Sequence, residues 1–109
     1  MPKHEFGIMP KAPITGKRYD EYNPRKYNCI SVDDDYIEPL CELLLGIDFF
    51  WHTVDVIGKG LAYYGITLIS PTMSEKVLSI TRNQIELKEL NTILEKAIKD
   101  SKYVIHFGI

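Results

Sequence analysis

The chain has 109 residues, 45% hydrophobic and 26% charged, enough for one domain that buries its own core without disulfide or metal staples. Lys plus Arg number 13 against 15 for Asp plus Glu, and the resulting formal charge of −2 excludes a strongly basic nucleic-acid binder, so no nucleic-acid partner is expected. No apolar run reaches the roughly 18 residues of a membrane-spanning helix, and the first residues lack the apolar core of a signal peptide, so a cytoplasmic protein with no membrane partner is expected.

Residues 1–26 are punctuated by Pro2, Pro10, Pro13 and Pro24, with Gly7 and Gly16 between, which forbids a continuous helix. They also carry Phe6, Ile8, Met9, Ile14, Tyr19 and Tyr22, more large apolar groups than a disordered tail keeps. This stretch reads as an ordered, irregular N-terminal arm lying against a single domain at 27–109. Phe6, Ile8, Ile14 and Tyr19 are its expected anchors, and Glu5 to Met9 is a short strand suited to a sheet edge. The arm holds six basic and three acidic residues, whereas Asp33 to Asp55 holds seven acidic residues and no basic one. Attraction between the two is expected, although exposed ion pairs contribute only about 0–1 kcal/mol each.

Tyr27 to Asp33 alternates as a strand. Asp35 with Glu38 has the spacing of a capping box, and Ile37, Leu40, Leu44 and Ile47 follow helical spacing up to Gly46, a natural stop. Phe49 to Val56 reads as a strand, Ile57 to Gly60 as its turn and Leu61 to Ile69 as the returning strand. Thr72 with Glu75 forms a second box opening a short helix. After a break near Arg82, Leu87, Leu90, Leu94, Ala97 and Ile98 make one stripe of a helix over 86–102, and Tyr103 to Ile109 closes the chain as a strand.

The expected fold is therefore α+β, a ferredoxin-like β-α-β-β-α-(α)-β sandwich with the arm added. Helices would cover one sheet face and leave the other open. Alternation places Ile30, Val32, Ala62, Tyr64, Ile66 and Leu68 on the covered face, with Phe50, Val54, Ile105 and Phe107 beside them. Cys29, Ser31, Phe49, Trp51, Thr53, Tyr63, Thr67 and His106 fall on the open face. A slip of one residue exchanges the two sets.

Few residues suggest chemistry. Asp33-Asp34-Asp35 stands where a strand meets a helix; carboxylates there can hold a cation or act as acid and base, and equally cap the helix. His52 shares parity with Phe50 and Val54, the pattern of a buried imidazole, while its titration near neutrality keeps it a candidate base. Asp33, His52 and Asp55 are the catalytic candidates. No His spacing of a zinc site exists, and no metal or cofactor is expected. Cys29 and Cys41 read as free thiols, and Gly58-Lys59-Gly60 as a hairpin turn.

The aromatic residues carry the leading functional reading. Tyr27, Phe49, Trp51 and Tyr63 would share the open face, with Arg18 of the arm nearby as a further binding residue. An aromatic patch of that size marks a partner or a covering segment. The expected function is a small binding domain that self-associates, as a homodimer, or takes a protein or small-molecule partner. Two alternatives stay open: a small enzyme with an acid/base site near Asp33 and His52, and an acidic inhibitor or immunity-type protein using the region 33–55.

Overall fold

The structure, a computed structural model, describes residues 2–109. Its organising element is the N-terminal strand. β1 (Lys3–Ile8) pairs antiparallel with β2 (Ile30–Asp33), His4 facing Val32, and with β6 (Val104–Phe107), Phe6 facing His106. β5 (Ile66–Ile69) pairs with β6, Thr67 facing His106. β3 (Asp48–Trp51) pairs with β5, and β4 (Ile57–Lys59) closes the far edge against β3. The sheet has six strands in the order β2-β1-β6-β5-β3-β4.

The α+β class holds, but this strand order is not the ferredoxin-like one. That arrangement would seat the strand near residues 27–33 between those near 103–109 and 61–69. Here β1 takes an interior place and displaces β2 to the edge. The arm strand is suited to the interior because Phe6 is buried and Gly7 lets the neighbouring chain approach closely. A Cβ at Gly7 would lie 2.6 Å from the Tyr27 carbonyl oxygen.

The helical segment after β2 is broken. α1 (Asp34–Ile37), a 3-10 turn at Glu38–Leu40 and α2 (Cys41–Leu44) replace the single helix expected. Pro39 has no N–H with which to continue an α-helical ladder. The cap also sits two residues early: Asp33 Oδ1 accepts from the Asp35 N–H at 2.9 Å. In the same way α3 (Pro71–Thr81) is capped by Ser70 rather than Thr72, its hydroxyl oxygen accepting from the Met73 N–H at 3.2 Å. Pro71 decides this, because its fixed φ suits the first helical position. α4 (Lys88–Lys99) buries Leu90, Leu94 and Ala97, with Leu87 just before it, as the stripe predicts. Inside the α3–α4 contact the Thr81 hydroxyl donates to Asn91 Oδ1 at 2.6 Å, and Asn91 Nδ2 donates to the Thr81 carbonyl at 2.9 Å.

The hairpin is shifted as well. Residues 57–59 are strand, and the turn is 52–56, entered by His52 in the left-handed region at φ 62°. Gly58 is the seat of the Trp51 indole, since a Cβ there would come within 2.2 Å of Trp51 Cε2, and the indole N–H donates to the Gly60 carbonyl at 2.9 Å.

Both faces of the sheet are covered. On the helical side Phe6, Val32, Phe49, Ile69 and Val104 pack with Val77, Leu78, Leu90 and Leu94. On the other, Met9 and Tyr27 pack over Ile66, Leu68, Ile105 and Phe107, with Tyr19, Phe50 and Val54 at the margin. Ile30 and Val32 thus lie on the expected side, whereas β3, β5 and β6 have the opposite phase to that expected. The arm is what covers the face expected to be open. Of its expected anchors Phe6 is buried and Ile8 and Tyr19 are half-buried, but Ile14 is 62% exposed and does not dock.

The corrected cap predicts that Asp33→Ala lowers stability by about 0.5–2 kcal/mol, the usual loss at an N-cap, while Asp35→Ala costs less. Chemical denaturation of the two variants checks this; a greater loss at Asp35 would place the helix start elsewhere.

Candidate functional site

An imidazole between a sheet and its helices is costly unless both ring nitrogens find partners. β1 and β6 place His4 and His106 there, both fully buried, and pair them with each other. His4 Nδ1 lies 2.8 Å from His106 Nε2, His4 Nε2 lies 2.8 Å from Asp34 Oδ1, and His106 Nδ1 lies 3.0 Å from the Thr67 hydroxyl. That hydroxyl oxygen accepts from the Ala62 N–H at 2.9 Å, and the Tyr63 hydroxyl donates to Asp34 Oδ1.

One proton per ring satisfies every partner. His4 Nε2–H donates to the carboxylate, so His4 Nδ1 accepts from His106 Nε2–H, and His106 Nδ1 accepts from the Thr67 hydroxyl. The series runs in one direction, from the Ala62 main chain to Asp34. A second proton on His106 would face Thr67 with two donors and strand its hydroxyl proton. Burial, followed by the neighbouring His4, holds the His106 pKa well below the ordinary value of 6.5. The Tyr63 and His4 hydrogen bonds lower the Asp34 carboxyl pKa, and the same carboxylate raises that of the Tyr63 hydroxyl.

The series has the groups of a proton relay, but its inner end is a main-chain N–H and its one outlet is Asp34, whose side chain is 16% exposed. What it does mechanically is plain: it ties α1, through Asp34, to two interior strands. The Asp34 N–H also donates to the Pro2 carbonyl at 3.0 Å.

The three catalytic candidates are not brought together. Asp33 caps α1 at the β2 edge, while His52 and Asp55 lie in the turn after β3, beyond β1, β6 and β5. There they hold the arm. The Tyr19 N–H donates to the His52 carbonyl at 2.7 Å, His52 Nδ1 sits 2.8 Å from Asp20 Oδ1, and Asp55 Oδ2 accepts from the Gly16 N–H at 2.6 Å. His52 is therefore half-exposed at a turn, not core-facing; its left-handed backbone and the bare Gly65 beside its ring explain the difference. Arg18 pairs with Asp20 at 2.9 Å, which raises the guanidinium pKa and lowers that of the carboxyl.

The aromatic candidates do not form one open patch either. Phe49 is buried under the helices and Tyr27 under the arm, Trp51 rests on Gly58 and Tyr63 is bonded to Asp34. Both cysteines are free, and burial raises both thiol pKa values, that of Cys29 to about 12, which leaves them poor nucleophiles. No group of three His, Cys, Asp or Glu side chains placed to share a metal ion occurs among the described residues.

Two surface features remain. The basic arm and the acidic middle meet at Gly16 and Asp55, but no Lys or Arg of the arm pairs with a carboxylate of 33–55 among the described residues. The acidic segment instead faces solvent. Across α1, the 3-10 turn and α2, Asp35, Glu38 and Glu42 stand exposed, and each is followed by an exposed apolar or aromatic neighbour, Tyr36, Pro39 and Leu43. Leu43 is 61% and Leu45 54% exposed. These residues form an acidic ledge with an apolar stripe, and Asp34 anchors it.

The buried His106 predicts a sign for the pH dependence. In the unfolded chain it takes up a proton below about pH 6.5, and in the native state it does not, so stability falls as pH drops through that value, by up to about 1.4 kcal/mol per pH unit. Urea denaturation between about pH 7.5 and 5.5 should show this slope, and His106→Leu, though less stable at neutral pH, should show a shallower one. Equal slopes in the two proteins would exclude His106 as the titrating group.

Compared with protein-family models, with curated proteins and with solved structures, the chain has no match.

Proposed function

We propose that this chain is a binding module that docks a protein of basic surface on the ledge at 35–48, in the manner of a small acidic inhibitor or immunity protein. The observation that carries the reading is the pairing of the two stripes. Carboxylates at Asp35, Glu38 and Glu42 have no ion-pair partner among the described residues, and large apolar groups are exposed alongside them. Asp48, at the end of the ledge, meets Lys59 at 2.8 Å. A field of one sign steers a partner of the other sign and speeds encounter, while apolar groups within it supply the desolvated contact that slows release.

The ledge is also held ready. Asp34, at the start of α1, is bonded to His4 and Tyr63, so the backbone at the head of the ledge is ordered before binding. Self-association through an aromatic sheet face has less support, because the arm already occupies that face. Pairing of two ledges would set like charges together. The enzyme reading has less support too, since Asp33 and His52 stand on opposite sides of three strands.

The test is reconstitution. A protein captured from cell extract is purified and mixed with the full chain. The expected result is a 1:1 complex that the double variant Glu38→Lys/Glu42→Lys weakens at least about tenfold, the equivalent of about 1.4 kcal/mol. Leu43→Asp should act likewise, and Lys96→Ala should leave binding unchanged. On its own the chain should sediment as a 12.6 kDa monomer at micromolar concentration. A dimer abolished by Leu43→Asp would overturn the reading, as would a complex indifferent to all three ledge substitutions.

A further inference from the structure

The arm folds over the sheet without closing against it. A cleft of about 300 Å³ lies between residues 17–23 of the arm, the 3-10 turn at Pro24–Tyr27 and Ile105 of β6. A second cleft, of about 280 Å³, reaches toward Met9 and Ile14. Lys17, Tyr19, Lys26 and Tyr27 line both, so the two clefts share a wall.

The charges on that wall are uncommitted. Lys17 Nζ sits 5.0 Å from the centre of the Tyr19 ring and Lys26 Nζ 5.5 Å from that of Tyr27. Ring faces attract ammonium groups but leave their N–H donors free. Neither lysine pairs with a carboxylate among the described residues, and Lys11 beside the second cleft does not either. Arg18 and Asp20 neutralise each other, which leaves Glu21 as the one opposing carboxylate on the wall. The clefts therefore hold an excess of positive charge over the Tyr19 and Tyr27 rings, with Ile105 added in the first and Met9 and Ile14 in the second. Small-molecule sites run from about 300 to 1,000 Å³, a range that the first cleft reaches alone and the second reaches only together with it.

We propose that this pair of clefts binds a small organic anion, a flat apolar body carrying a phosphate or carboxylate, with Lys17 and Lys26 on the acid group and Tyr19, Tyr27 and Ile105 against the body. The site is separate from the ledge and stands or falls independently of it.

Phenyl phosphate, benzoate and inorganic phosphate are the probes, each titrated into the full-length ¹⁵N-labelled chain and followed by amide shifts. Phenyl phosphate or benzoate should give saturable shifts confined to residues 9–28 and the neighbourhood of Ile105. Whichever binds more tightly identifies the acid group preferred. Inorganic phosphate, which lacks the body, should bind at least about tenfold more weakly, and Lys17→Ala/Lys26→Ala should weaken the organic probe by at least about the same factor, as expected for losing charge-assisted hydrogen bonds. Both lysines are exposed, so an unchanged melting curve should accompany that loss. No saturable shift at millimolar probe, equal binding of inorganic phosphate, or shifts spread over lysines elsewhere such as Lys88 and Lys96 would each overturn the proposal.

Discussion

The insertion of β1 between β2 and β6 is the constraint on which the rest of the molecule depends. The sheet is continuous only when the first strand of the chain pairs with the last, Glu5 opposite Phe107 and Ile8 opposite Val104. Such a pairing carries a large loop-closure cost and cannot form early by local contacts. It brings His4 against His106, 102 positions away, while β2, the other neighbour of β1, begins only after the chain has crossed the sheet face and returned. The arm is therefore a loop tethered at both ends by strands. Its Gly16–Asp20 stretch is pinned to the turn at His52–Asp55, and that pinning holds it over Ile66, Leu68, Ile105 and Phe107.

The double covering explains what could and could not be read from residue order. α4 was legible because one face of it is wet: Leu87, Leu90, Leu94 and Ala97 stand out against charged neighbours. β5 and β6 existed in the alternation but their phase did not, because all four residues of each are buried. The polar residue in each, Thr67 or His106, points to a solvent-facing row, yet both are buried on the helical side, bonded to each other. The turn at 52–56 was hidden because a histidine, not a glycine, takes the left-handed conformation, and the glycines at 58 and 60 drew the turn to themselves. Pro39 and Pro71 were visible, yet their effect on the helix starts depended on which residue ended the preceding strand.

The buried polar series was hidden for a different reason. No local spacing joins His4, Asp34, Thr67 and His106; the sheet register alone brings them together. What marked His4 was its alternation with Phe6 and Ile8 in a strand, which places an imidazole on a core-facing row. The acidic run was legible as charge, but not as a surface. Its division into a buried set, Ile37, Leu40 and Leu44, and an exposed set of acids and apolar groups emerges only once α1 is fixed to the sheet by Asp34. Unlike charges thus reside on different parts of one small protein, cations on the arm and carboxylates on the ledge, despite a net charge near zero.

The two free edges of the sheet are also short. β4 has three residues, Gly58 among them under an indole and Lys59 tied to Asp48, and β2 has four and ends in the aspartate that turns the chain into α1. A long, flat, apolar edge templates strand addition from another chain, and neither of these can do so over more than a few hydrogen bonds. With both faces covered and both edges short, the sheet offers little template for strand addition, and association is left to side chains on the helices and the arm.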